Sequence, residues 1–306
     1  MRKLLGSFIL VLFITAVASA QGESEGRGNS TGNRGQSEGN GRDDRDDKAP
    51  VQAGYGVITP VVAGTAGTTT GLVVFETFGL RKNNGNNDET TQAGILPPDL
   101  TTNAVLFVES SGRLSKNLGV AIVNPNSSNV NVRMTLRNDD GRQLGTKTVT
   151  VPARQQTSKF VTELFSSESG IPSDVMGTLV ITTAGSSDLP VSVVGLRFRG
   201  TNFSTLPVTN LSGNSGPLPV IADGVGGPGA ILLPQFATGG GWATELILAN
   251  TGTSAITVRV DLFKQDGTPL TAALNGQSAS SFRNLTIPAG GVIKLAPRDR
   301  NGDDDF

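Results

Sequence analysis

Four carboxylates stand in or beside apolar runs that a strand could present: Glu76, Glu109, Glu245 and Asp261. Two carboxylates facing each other across a groove, roughly 5 to 9.5 Å apart, are the machinery of glycoside hydrolysis. If this chain does such chemistry, these residues carry it. Pairing residues 244–249 with 257–262 as a hairpin would set Glu245 opposite Asp261. Like charges so placed need a cation between them, either Arg259 one diagonal step away or a calcium ion. If the two strands lie in different sheets, the constellation dissolves. The single tryptophan, Trp242, follows Gly239, Gly240 and Gly241. An exposed aromatic on a β-surface stacks on sugar rings or anchors a protein partner; the plainer alternative is that it covers the end of a core. Trp242, Phe236 and Arg259 form the candidate ligand-binding set.

The chain has no histidine and no cysteine. Ser-His-Asp and Cys-His nucleophiles, the usual zinc sites and the commonest general base near neutral pH are therefore absent. So are thiol chemistry and disulfides, which leaves stability to packed apolar area. We expect no catalytic residue, no metal and no cofactor. Asp43, Asp44, Asp46 and Asp47 are interleaved with Arg42 and Arg45, so they read as a neutralised cluster rather than a calcium site. Residues 299–306, DRNGDDDF, carry glycine at the fourth place instead of the sixth and read as an acidic tail.

The elements that must position these residues are written twice. Residues 120–144, VAIVNPNSSNVNVRMTLRNDDGRQL, recur at 246–270 as LILANTGTSAITVRVDLFKQDGTPL, 126 places on and without a gap. Eight of the twenty-five pairs are identical, among them Asn124/Asn250, Arg133/Arg259, Asp140/Asp266 and Gly141/Gly267. Val130, Val132, Met134 and Leu136 alternate with polar residues, as do Ile256, Val258, Val260 and Leu262, a period of two that buries one face of a strand. Asp140-Gly141 and Asp266-Gly267 supply the positive backbone angles of a tight reversal. A second type of segment also recurs: GYGVIT at 54–59 is echoed by GTLVIT at 177–182, and GLVVFETFG from Gly71 more loosely by VSVVGLRFRG from Val191. Further strands are expected at 57–61, 72–78, 104–109, 119–123 and 147–151, with one short helix over 159–165.

The ends read differently. Arg2 and Lys3 precede an apolar run over 4–17 and then Ala18-Ser19-Ala20, the pattern of a secretory signal peptide cut before Gln21. Without Arg2 and Lys3, 23 of the 25 basic residues remain against 26 acidic ones, so no general basic surface invites nucleic acid or anionic lipid. Residues 21–50 are Gly, Ser, Asn, Arg and Glu with almost no apolar side chain, too little to offset an ordering entropy of roughly 1–2 kcal/mol per residue. They read as a disordered tether. No later stretch is long and apolar enough for a membrane-spanning helix.

Phe236-Ala237-Thr238-Gly239-Gly240-Gly241-Trp242-Ala243-Thr244-Glu245, followed by LILAN and later by IPAGGVIKL from Ile287, resembles the tandem β-sandwich repeats of uncharacterised secreted bacterial proteins that carry an FADGGGWTT-like segment. Val151-Pro152-Ala153 matches Ile287-Pro288-Ala289, so the first half looks like a divergent copy. The resemblance covers about residues 54–295 and implies architecture and export, with no activity attached.

These observations predict an all-β chain with two tandem immunoglobulin-like antiparallel β-sandwich units. The expected order is signal peptide 1–20, tether 21–50, unit 51–166, linker 167–176, unit 177–297 and acidic tail 298–306. An alternative division uses the Gly- and Pro-rich stretch 212–229 as the linker and gives 51–211 and 230–297. The expected function is that of a secreted, non-enzymatic surface, matrix or adhesive module, exported to the cell surface, the medium or the periplasm. Its partner would be an extracellular glycan or protein. The alternative is a carboxylate-dependent glycan-active enzyme or its carbohydrate-binding accessory domain.

Overall fold

A computed structural model describes residues 8–11, 54–58, 74, 76–83, 88–184, 189–200, 202–212, 231, 233, 235–239 and 244–297. Most of the expected signal peptide, the tether, most of the Gly- and Pro-rich stretch, Trp242 and the acidic tail lie outside these residues. The chain is all-β, and every ladder is antiparallel.

Strand β1 (Phe8–Val11) pairs with β2 (Tyr55–Ile58), and β3 (Glu76–Asn83) with β4 (Asp88–Ile95). The main body follows. It is built from β5 (Asn103–Ser110), β6 (Lys116–Val123), β7 (Val130–Asn138), β8 (Gln143–Val151), β9 (Gln156–Phe160), β10 (Val175–Ala184), β11 (Ser192–Arg199), β12 (Asn202–Leu206) and β13 (Thr209–Asn210). One sheet runs β13-β5-β10-β7-β8 and the other β12-β11-β6-β9. Alternation decides which side chains lie between them. Val130, Val132, Met134 and Leu136 of β7 are buried, with Asn131 and Arg133 exposed. They share one core with Leu106 and Val108 of β5, Leu118, Val120 and Ile122 of β6, and Leu179 and Ile181 of β10. Burying each such side chain contributes about 1.5–3 kcal/mol, and the two layers together form a β-sandwich.

The second body holds β14 (Leu246–Ala249), β15 (Ile256–Asp261), β16 (Ala272–Leu274), β17 (Gln277–Ala279), β18 (Ser281–Ile287) and β19 (Val292–Leu295). It repeats part of the first in matching register. The β7–β8 ladder sets Val130 opposite Val151, and β15–β18 sets Ile256 opposite Ile287. The β6–β9 ladder sets Val123 opposite Gln156, and β14–β19 sets Ala249 opposite Val292. The offset between copies grows from 126 before the turn to 136 after it, and the β16–β17 hairpin lies in the lengthened stretch.

Three sequence expectations change. The stretch 167–176 does not divide the sheets, because β10 beyond it pairs with β5 and β7, and β11 pairs with β6. No sheet among the described residues joins a strand before residue 212 to one after residue 244. The expected helix at 159–165 shrinks to α1 (Val161–Leu164), since Lys159 and Phe160 are drawn into β9 beside β6. The Phe160 amide donates to Glu163 Oε2 at 2.8 Å, which closes the helix start. Last, 244–249 does not pair with 257–262: β14 pairs with β19 and β15 with β18, so Glu245 does not face Asp261 across a ladder.

A buried ion cluster as the candidate functional site

The equivalence of the copies reaches individual atoms. Asn124, fully buried at the end of β6, donates through Nδ2 to the carbonyls of Ser128, Val151 and Pro152 at 2.8, 3.0 and 3.1 Å, and its Oδ1 accepts from the Asn126 amide at 2.9 Å. Asn250 donates to Ser254, Ile287 and Pro288 at 2.8, 3.1 and 3.0 Å and accepts from the Gly252 amide at 2.9 Å. Each asparagine ties the loop after its strand to the end of a strand about thirty residues on, satisfying carbonyls that sheet pairing leaves open. At the reversals, Gly141 and Gly267 take φ of 81° and 80°, as the Asp-Gly pairs require.

Where the two bodies meet, charge is buried. Glu109 comes from the end of β5, Lys116 from the start of β6, Arg197 from β11, Glu245 from just before β14 and Lys294 from β19. Arg197 donates from Nη2 to Glu109 Oε2 at 2.7 Å and from Nη1 to Glu245 Oε2 at 2.6 Å, so one guanidinium grips a carboxylate from each body. Lys294 Nζ donates to Glu109 Oε1 at 2.6 Å and lies 3.2 Å from Glu245 Oε1. Among the described residues no hydrogen-bond donor is aligned on that Glu245 oxygen, and its attraction to Lys294 is Coulombic. Glu109, Arg197, Glu245 and Lys294 thus close a ring of alternating sign, with Lys116 Nζ a fifth member 3.3 Å from Glu109 Oε1. The side chains of Lys116 and Lys294 are each 1% exposed.

Burial alone pushes the Glu109 carboxyl up, but the hydrogen bond and charge of Lys294, with the charges of Arg197 and Lys116, outweigh it and hold the group below the ordinary carboxylate range. Burial pulls the Arg197 guanidinium down, and Glu245 and Glu109 more than restore it. Both remain ionised at neutral pH. Desolvating these charges costs several kcal/mol per ion, which the contacts offset only with the geometry observed. The two bodies also meet through backbone: the Val292 amide donates to the Asp139 carbonyl at 2.9 Å, and Val292 joins the first body's core.

The carboxylates singled out from sequence separate into different environments. Glu109 and Glu245 come together, through Arg197. Asp261 receives Ser281 Oγ and Arg259 Nε, each at 2.7 Å, and its pKa is lowered first by the Ser281 hydrogen bond. Glu76 is away in β3, its carboxyl pushed up by burial. In the ligand-binding set, Arg259 is 51% exposed and paired with Asp261, Phe236 packs against the second body's core, and Trp242 lies outside the described residues. Beside the cluster, Arg197, Arg199, Asn202, Phe203 and Ser204 line a shallow open pocket of about 220 Å³. No group of three or more metal-ligating side chains occurs among the described residues, and no helix among them is long and apolar enough to cross a membrane.

Lys116, Arg197 and Lys294 are members of the cluster that sequence reasoning missed. The available signal was a lone charge inside an apolar strand, as in VIKL at Val292–Leu295: on a buried face it needs a partner.

Fold and cluster together define an all-β protein of antiparallel sheets joined to a partial copy of itself by buried ion pairs. No family model matches the chain, and no curated protein matches it. Among solved structures it is similar to an Anabaena sensory rhodopsin transducer, at 23% identity and a TM-score of 0.27, over 32% of this chain and 89% of that one.

Proposed function

We propose that this is a secreted, non-enzymatic β-sandwich repeat protein, of the tandem-repeat kind its Gly-Gly-Gly-Trp segment resembles, that serves as a surface, matrix or adhesive interaction module. The observation that carries this reading is the commitment of Glu109 and Glu245 to Arg197 and Lys294. Glu109, with both oxygens engaged and its pKa lowered, supports a joint between bodies rather than a proton-donating acid. A rigid sandwich with loops at its ends supports a binding role, and Trp242 is the residue assigned to ligand contact. The partner is an extracellular glycan or protein, met at the cell surface, in the medium or in the periplasm.

The test is a pulldown of the chain from residue 21 onward on cell-wall material and a glycan panel, comparing wild type with Trp242→Ala. Retention of wild type and at least a tenfold loss in the variant is expected, the size of effect a buried aromatic anchor commonly gives. Equal retention of both removes Trp242 from the site. Release of reducing sugar, lost in Glu109→Gln and Glu245→Gln, would instead establish the glycan-active alternative.

A further inference from the structure

Among the described residues, the second body has no counterpart to some strands of the first. In the first, β7 has β8 on one edge and β10 on the other. In the second, β15 has β18 in the place of β8, and among the described residues nothing stands in the place of β10. The difference shows in burial. Val130, Val132 and Met134 of β7 are sealed, whereas their counterparts are not: Ile256 is 42% exposed, and Val258 and Val260 are only half-buried. An open edge with apolar side chains beside it is a template for another strand.

The chain contains a segment matched to that place. β10 lies on β7 over 177–184, and the first six of those residues, GTLVIT at 177–182, are echoed by GYGVIT at 54–59, which contains β2. The only ladder partner of β2 among the described residues is β1, inside residues 1–20. Removing a signal peptide therefore strips β2 of its ladder, and Val57 on it is already 52% exposed. β2 of the same chain is fastened elsewhere, since Tyr55 packs beside Ala121 and Val123 and its hydroxyl donates to the Arg154 carbonyl at 2.8 Å.

We propose that the open edge of β15 accepts the β2 strand of a second copy of this chain, so that exported molecules associate head to tail. The register carries over from the first body. Ile181 lies opposite Met134 there, so Ile58 of the donor lies opposite Val260 of the acceptor. Donor and acceptor sit on different surfaces, so the contact is heterologous: it closes where the rotation between copies allows and propagates where it does not. The proposal rests on the signal-peptide part of the reading above and is independent of any glycan.

Because the chain has no cysteine, disulfide trapping reads the register directly. Full-length chains starting at residue 21 are made as Ile58→Cys and as Val260→Cys, mixed and oxidised. A disulfide-linked dimer containing one of each is expected, and none when Ile58→Cys is mixed with Thr271→Cys. Sedimentation of unmodified chain should show species of two or more copies, reduced to single chains in Ile58→Asp at unchanged thermal stability. A chain that stays single at every concentration overturns the proposal. So does a disulfide formed within one chain that carries both Ile58→Cys and Val260→Cys, which would place β2 on its own β15. Because the chain is made without residues 1–20, these results do not depend on export. The intact mass of the exported product separately tests cleavage before Gln21.

Discussion

Asn124 and Asn250 each clip a loop to a distant strand end, and replacing either by leucine takes the donor from a buried carbonyl, of Val151 or Ile287, and from two part-buried ones. A buried polar group left unpaired costs about 1–3 kcal/mol, and several are released at once. Asn124→Leu should therefore lower unfolding free energy by at least about 2 kcal/mol, read from the denaturant midpoint. Gly141 and Gly267 offer a sharper comparison, because they share a backbone angle but differ in surroundings. A side chain at Gly267 meets open space, so Gly267→Ala should cost only the left-handed conformation, about 1–2 kcal/mol. At Gly141 the added methyl would collide with the Ala289 carbonyl of the second body. Gly141→Ala should be the more damaging of the two in thermal unfolding.

At the scale of elements, much was legible and for identifiable reasons. The alternation of Val130, Val132, Met134 and Leu136 is a local property, as are the Asp-Gly reversals, so the β7–β8 hairpin could be read directly. The repeated text predicted two such hairpins, but in the second copy the chain after Asp266-Gly267 enters the β16–β17 hairpin and β15 pairs with β18 instead. What the sequence could not rank was which strand lies next to which when they are far apart. GTLVIT reads equally well as the start of a second unit or the completion of the first, and only the pairing of β10 with both β5 and β7 decides it. The helical spacing of Phe160 and Leu164 was real, but ladder bonds to β6 claimed the first residues. The ion cluster was least legible, because Glu109 and Lys294 are 185 positions apart and neither stretch hints at the other.

For the molecule as a whole, the cluster makes the junction between bodies sensitive to acid. Glu109 has a folded pKa below its ordinary value of 4.5. Its contribution is therefore fully present above 4.5 and is lost as pH falls through the lowered folded value. Acidification through that window should loosen the junction, seen as faster proteolysis between the bodies while the first sandwich keeps its far-ultraviolet spectrum. Glu109→Gln should weaken the junction already at neutral pH, by about 3 kcal/mol, since it leaves Lys294, Lys116 and Arg197 undercompensated. Added salt should do far less, because buried pairs are poorly screened.

The lengthened stretch holding the β16–β17 hairpin has a practical corollary. Nature has spliced extra chain between two partnered strands without moving Ile256 from its place opposite Ile287. Loop closure entropy grows only slowly with length. The tip of the first sandwich, between Asp139 and Gln143, abuts the second body, whereas the equivalent Asp266-Gly267 turn is exposed, with open space around Gly267. A foreign epitope grafted at Asp266-Gly267 would ride on a scaffold whose registration is already tolerant of cargo.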